Sequence, residues 1–272
     1  MLNTKELAVK LDHARREARE IPPLKVDFPD LSLTEAYEIQ AHGIEMRTAR
    51  GEKRVGMKMG LTSEAKRKQM GLDSPVYGVL LDSTQIEDGG VFSLNGTIHP
   101  KIEPEIAFVL KKDIQGKLTF EEALEACAGV CAALEILDSR YTGFKYFSLP
   151  DVVADNSSSS HFVLGVVKTD YKNLNLGDLL IEMEVNGKVV ESARSNAISG
   201  HPLNSLIALS EILCAEGKSL KAGSIVLAGA ATLAVPLEEG MSIRGHVQGL
   251  QTVLVNVSGS VSGGVSGKAV RK

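Results

Sequence analysis

The sequence predicts an α+β protein, helical at its N-terminus and mostly β thereafter. Three observations carry this expectation. Charged and apolar residues mix at helical spacing over the first fifty residues, and short apolar runs punctuated by Gly and Pro take over from Val55. After Gly165 a segment alternates with period two around Asn186-Gly187, the dipeptide best suited to a two-residue hairpin turn.

Two helices are expected over about 4–20 and 34–49, separated by Ile21-Pro22-Pro23 and Phe28-Pro29, because proline cannot continue a helix. Ser32, with Glu35 three residues on, has the pattern of a capping box for the second. The runs VGMKMGL, SPVYGVLL and EPEIAFVLKK then read as strands and loops. A further helix is expected at about 119–131, opened by Thr119 with Glu122, which would put Cys127 and Cys131 on one helical face. LLIEMEVNGKVVES forms the hairpin, a helix spans about 203–216 and stops at Gly217, and AGSIVLAGAATLAV and SIRGHVQGLQTVLVNV supply more strands. The segment 258–272, rich in Ser and Gly, has too little apolar area to offset its ordering entropy and is expected to be a flexible tail.

Bulk properties narrow the function classes. With 34 acidic and 30 basic residues the net charge is −4, which leaves no cationic surplus for a phosphate backbone, so nucleic acid is not an expected partner. The start, MLNTKELAVKLDHARREARE, lacks the apolar stretch of a signal peptide or membrane span, and a cytoplasmic protein that does not enter a membrane is expected. Three cysteines, Cys127, Cys131 and Cys214, support neither a disulfide framework nor a four-cysteine zinc site. Buried packing is the expectation for the close pair.

Three fragments bear chemistry. HPKIEPEIAFVL places Glu103 and Glu105 two apart on a presumptive strand, so both carboxylates leave from the same face. Like charges side by side repel, and a divalent cation between them keeps both ionised; all-oxygen ligation suits Mg²⁺ or Mn²⁺ rather than zinc. A solvated strand face produces the same pattern, so the pair alone decides nothing. CAALEILDSRY sets Glu135 and Asp138 in an apolar run, where a carboxylate must be paired, hydrogen-bonded, metal-bound or else exposed at the element's end. VGMKMGLTS flanks Lys58 with Met and Gly, which fits either an anion-binding lysine or a plain surface one.

These fragments occur in an order that resembles the fumarylacetoacetate hydrolase superfamily: GMKMGLTSEAKRKQMG, HPKIEPEIAFVL, ALEILDSRY, DVVADNSSSSHFVLG, SNAISGHPLNSLIALSEIL and AGSIVLAGAAT, over roughly residues 30–257. The resemblance is greatest to its hydratase/decarboxylase branch. It implies a mixed β-roll core and a metal-dependent catalytic domain at 51–257, which follows the N-terminal helical region read at 1–50; the tail at 258–272 has no counterpart in it. It implies Mg²⁺ or Mn²⁺ held by Glu103, Glu105 and Glu135, with Lys58 contacting a 2-oxo acid substrate near its carboxylate and 2-oxo group.

Within the branch, the run 68–78, the segment 192–206 and AGAAT at 228–232 resemble the decarboxylases of 4-oxalocrotonate more than the 2-oxopent-4-enoate hydratases, in which Gly often replaces Thr232. The implied activity is decarboxylation of a 2-oxo dicarboxylate in the meta-cleavage breakdown of aromatic compounds. Hydration of 2-oxopent-4-enoate is the alternative, and a non-catalytic binding or scaffold member of the fold is a remote one. Arg194, then Arg140, are expected to meet the substrate's distal carboxylate, beside Thr232. A complex with the hydratase of the same pathway is implied, and a homo-oligomer is possible.

Overall fold

Capped helices open the chain. Asn3 accepts a hydrogen bond from the Glu6 amide at the start of α1 (Thr4–Arg16), and after the short α2 (Leu24–Asp27) the reciprocal Ser32/Glu35 capping box starts α3 (Leu33–Ala49). The first helix stops before the expected residue 20 because Ala18 takes a left-handed backbone, φ 49°. The computed structural model describes residues 2–63, 75–144 and 148–261. Positions 68–74 of the run at 68–78, and 262–272 of the tail, lie outside the described residues.

The rest is predominantly sheet. The strands are β1 (Arg54–Gly60), β2 (Val76–Leu81), β3 (Gln85–Ile86), β4 (Val91–Ser93), β5 (Lys101–Leu110), β6 (Cys127–Leu137) and β7 (Ser159–Leu164). They continue with β8 (Leu180–Val185), β9 (Lys188–Arg194), β10 (Ile225–Ala230), β11 (Val235–Pro236), β12 (Ser242–Val247) and β13 (Val253–Ser258). The helices interleaved among them are α4 (Phe120–Ala126), α5 (Leu149–Ala154) and α6 (Pro202–Ala215).

Among the described residues one mixed sheet runs β2-β1-β10-β5-β6-β7-β3 with β11 on β5, and a second runs β4-β13-β12-β8-β9. The pairs β1/β10, β3/β7 and β4/β13 are parallel and the others antiparallel. The expected hairpin is β8–β9, turning through Asn186 and Gly187, both at positive φ as that turn requires.

The largest core lies between the sheets. Ile102, Ile106 and Phe108 of β5 and Ala132, Leu134 and Ile136 of β6 face it, together with Ile181, Met183, Ile243, Val253 and Val255 from the smaller sheet. Gly245 lets the sheets close, since a Cβ there would lie 3.1 Å from Leu134 Cδ2. Leu134 is fully buried, and truncation to Ala would cost about 2–5 kcal/mol. The N-terminal helices make a second cluster with Val76, Tyr141 and α5. No helix among the described residues is long and apolar enough to cross a membrane.

The helix expected at 119–131 ends at Ala126, and the chain passes directly into β6. Cys127 and Cys131 therefore stand on a strand, not on a helical face. A register shift beside Leu110 sends Cys127 into the core between the sheets, whereas Cys131 joins a smaller cluster with Ala107, Ala133, Phe162 and Leu227. Both are buried as expected, and burial pushes both thiols up to about 12.

Candidate metal centre and substrate cavity

Residues 101, 103 and 105 of β5 alternate with the core-facing Ile102, Pro104 and Ile106, so Lys101, Glu103 and Glu105 leave the sheet on the face away from the other sheet. On β6, Glu135 lies directly across from Glu103 in the register, and Ala133 across from Glu105. Antiparallel pairing thus gathers three carboxylates that are 32 residues apart at their extremes in sequence. One oxygen from each lies within 4.8 Å of the others.

Glu105 and Glu135 are fully buried. Glu105 Oε2 accepts the Gly229 amide at 2.7 Å, while its Oε1 and the Oε1 of Glu135 are buried without a hydrogen-bond partner. Gly229 sits at φ +100°, and an added Cβ would lie 2.5 Å from Thr62 Oγ1 and Cγ2, so the position admits no side chain. That geometry aims its amide at Glu105.

Lys58 arrives from β1, where it pairs with Leu227 of β10 and Gly78 of β2. Its ammonium donates to Glu135 Oε2 at 2.9 Å and is 3% exposed as a residue. Burial alone would lower its pKa; Glu135, Glu103 and Glu105 outweigh that and raise it, so the lysine is charged. Glu105 is raised well above the ordinary carboxylate range by burial, then by the charges of Glu135 and Glu103, against Lys58 and the Gly229 amide. Burial likewise raises Glu135 against the pull of Lys58.

One ammonium against three carboxylates leaves a buried excess of negative charge. Together with two unpartnered carboxylate oxygens and an all-oxygen donor set, this fits a hard divalent cation such as Mg²⁺ or Mn²⁺, which takes oxygen ligands almost exclusively.

Beside the cluster opens a cavity of about 440 Å³. It is lined by Lys58, Glu103, Thr62 and Ser63, by the apolar side chains of Leu137, Val152 and Val76, and by Ser157, Thr232, Lys101 and Phe144. Thr232 is 7% exposed, and among the described residues its hydroxyl makes only a long 3.4 Å contact to the Leu233 carbonyl.

Of the residues singled out from sequence, the fold brings together Glu103, Glu105, Glu135, Lys58 and Thr232. The two arginines require correction. Arg194 ends β9, the edge strand of the smaller sheet; its side chain is 52% exposed, donates to the Asp178 carbonyl at 3.0 Å and does not line the cavity. Arg140 is buried in an ion pair with Asp155 and donates to the Asp155 carbonyl at 2.8 Å, so its guanidinium is spent on holding the turn after α5. Asp138, the other acid of that run, accepts the amides of Ile98 and His99.

Sequence reasoning missed Lys101, although the alternation that pairs Glu103 with Glu105 includes it. It also missed Ser157, which stands in a run of three left-handed residues, Asn156, Ser157 and Ser158. Asn156 bridges both backbone groups of Val79, and Ser157 donates to the Tyr77 carbonyl at 2.9 Å, so β2 over-determines this strained turn. Its signal was the Asn/Ser composition of DNSSSS. The segment at 192–206 acts through Ser199, whose hydroxyl donates to the Thr62 carbonyl at 3.1 Å and fixes the loop after β1.

This three-carboxylate face on a curled mixed sheet defines a class, and comparison with known proteins supplies it. Residues 47–258 match the family of the fumarylacetoacetate (FAA) hydrolase C-terminal domain, and the chain belongs to that family. It is 43% identical over 256 residues, covering 93% of this chain and 97% of the other, to a 4-oxalocrotonate decarboxylase of a Pseudomonas species, a carboxy-lyase. It is 36% identical over 250 residues, 91% of this chain and 94% of the other, to a 2-keto-4-pentenoate hydratase of Burkholderia vietnamiensis. Among solved structures, 4-oxalocrotonate decarboxylase of Pseudomonas putida, complexed with magnesium and adipate, superposes with a TM-score of 0.90 at 37% identity, over 94% of this chain and 99% of the other.

Proposed function

We propose that this chain is a carboxy-lyase that converts 4-oxalocrotonate (2-oxohex-3-enedioate) to 2-hydroxypenta-2,4-dienoate and CO₂, with Mg²⁺ or Mn²⁺ held by Glu103, Glu105 and Glu135. The observation that carries the reading is the juxtaposition of the three-carboxylate cluster with Lys58 in the lining of a cavity sized for a small diacid. The relatives favour decarboxylation, at 43% identity against 36% for the hydratase.

When bound, the cation supplies Lewis acidity toward the 2-oxo and 1-carboxylate oxygens. The chain's own residues do the rest. As the C5–C6 bond breaks and CO₂ departs, its electron pair forms the C4–C5 double bond. The C3–C4 pair moves to C2–C3, and the 2-oxo oxygen gains negative charge and then a proton from solvent. Lys58 holds a fixed positive charge beside the carboxylate cluster, where that charge develops, and its bond to Glu135 keeps it from reorganising during the step. Thr232 offers a hydroxyl that, among the described residues, makes only a weak contact. Leu137, Val152 and Val76 limit water at the apolar wall.

The test is to supply 4-oxalocrotonate and 2-hydroxypenta-2,4-dienoate separately with Mg²⁺. Consumption of the first with release of CO₂ is expected; hydration of the second with the first untouched makes the chain a hydratase instead. The product ketonises in water, which supports a further reading: a complex with the hydratase that consumes it. Co-expression and size exclusion at micromolar concentration should give a joint species, and two separate peaks would remove that reading.

A further inference from the structure

We propose that Lys101 receives the distal carboxylate of the substrate and so sets the preference for a six-carbon diacid over a monoacid of the same length. The inference rests on the decarboxylase reading for the identity of the substrate, but not for the residue's preference for a second carboxylate.

Three features of the site carry it. Lys101 leaves β5 on the same face as Glu103 and Glu105, and it lines the same cavity. Apart from Lys58, which is engaged by Glu135, it is the only cation among the described residues that line this cavity. Its ammonium lies 4.3 Å from the centroid of the Phe144 ring, and no carboxylate among the described residues pairs with it. An aromatic face holds a cation in place through its quadrupole without supplying a counter-charge. Lys101 is therefore positioned and half-buried, yet still able to take an anionic partner.

Length agrees. Two residues along a strand separate Lys101 from Glu103, about 6.6 Å of backbone. The five C–C bonds of a six-carbon diacid, each about 1.5 Å, zigzag to roughly 6 Å between the carboxyl carbons. With one end at the carboxylate cluster, the other reaches the part of the cavity that Lys101 and Phe144 complete. Arg194 and Arg140 cannot serve, because the first lies outside the cavity and the second is bound to Asp155.

The direction of electron flow decides which kinetic constant responds. Charge leaves the distal carboxylate as CO₂ forms, so an ammonium there stabilises the bound substrate more than the transition state. Loss of Lys101 should therefore raise KM while leaving kcat unchanged or higher.

The experiment measures the affinity of the Mg²⁺-loaded protein for 2-oxoadipate, 2-oxohexanoate and oxalate by calorimetry, for wild type, Lys101→Met, Lys101→Gln and Lys101→Arg. Wild type is expected to favour the diacid over the monoacid by about 10- to 100-fold, the range for a charged hydrogen bond. Met and Gln should bring that ratio close to one by weakening 2-oxoadipate alone, Arg should keep most of it, and oxalate affinity should not change. A wild-type ratio near one overturns the proposal, as does equal weakening of diacid and monoacid in both neutral variants. Turnover is scored separately: a wild type that binds the diacid selectively yet leaves 4-oxalocrotonate intact refutes the decarboxylase reading while the role of Lys101 stands.

Discussion

Replacing Glu105 by Gln separates what the carboxylate cluster does for the metal from what it does to the fold. Glu105 is fully buried, bonded through one oxygen to the Gly229 amide, and its other oxygen has no hydrogen-bond partner. Gln keeps the shape and the acceptor for Gly229, carries no charge at any pH, and brings an amide N–H₂ that can donate to Glu103 or Glu135. Without metal, Glu105→Gln should therefore be the more stable protein, by about 1–3 kcal/mol for an unsatisfied buried group made good. At roughly 2–4 °C per kcal/mol for a chain of this size, the melting temperature in EDTA should rise by about 2–12 °C. Wild type in Mg²⁺ at about 100 times its Kd should gain about 2.7 kcal/mol by mass action, and Glu105→Gln should lose nearly all of that gain. Thermal denaturation of both proteins, in EDTA and across a Mg²⁺ titration, reads all four quantities. A variant that melts lower than wild type in EDTA and still responds fully to Mg²⁺ refutes the reasoning, because Glu105 would then be a structural acid outside the metal site.

Lys58→Ala should lower kcat/KM by about 10²-fold, the loss typical of one fixed charge at a developing anion; a folded, metal-binding variant with wild-type turnover would make Lys58 a bystander. Gly229→Ala must seat a side chain at φ +100° against Thr62, so strain of about 1–3 kcal/mol and a displaced amide are expected. A lower melting temperature together with weaker Mg²⁺ binding checks this, and a purely thermal effect would detach the amide from the site. Cys127 and Cys131, pushed up to about 12 by burial, should ignore a thiol reagent at pH 8 in the native state, whereas exposed Cys214 reacts. One thiol per native chain and three after denaturation is the expected titration, and three fast thiols in the native protein would contradict the packing.

Much of this site was legible because a strand has period two. Glu103 and Glu105 share a face by that rule alone, whereas Glu135, a carboxylate in an apolar run, read equally well as an exposed element end until the family motifs were matched. Their convergence was not legible from spacing, since it depends on the β5–β6 register, which is set by pairing across the whole strand. The motifs shared with a family supplied what register could not. They misled for the arginines: proximity in sequence to a family motif says nothing of the side on which a residue emerges. Arg194 stands on the edge of the other sheet, and Arg140 had already found Asp155. The helix expected through residue 131 failed for a related reason. EEALEACAGV has helical propensity, but the β-rich partner β5 claims Cys127 onward, and tertiary pairing outweighs a preference of a few tenths of a kcal/mol per residue.

The two faces of β5 and β6 explain how such a site can exist. A cluster of three carboxylates and one ammonium away from water is costly, because each charge loses hydration that its neighbours restore only in part. The same two strands turn Ile102, Ile106, Phe108, Ala132, Leu134 and Ile136 into the core between the sheets, all of them fully buried. At about 1.5–3 kcal/mol for each large apolar side chain, that face contributes on the order of 10 kcal/mol from the aliphatic and aromatic residues alone, enough to hold the strands in register while their opposite face carries the charge. Alternation thus lets one short stretch of sequence be scaffold and site at once. The arrangement also predicts where tolerance ends: Ile102, Ile106, Leu134 and Ile136 answer to packing between the sheets, Glu103, Glu105 and Glu135 to charge and ligand, and Ala107, Cys131 and Ala133 on the second face to a small apolar cluster. A single-residue slip of either strand would exchange the two faces and lose both.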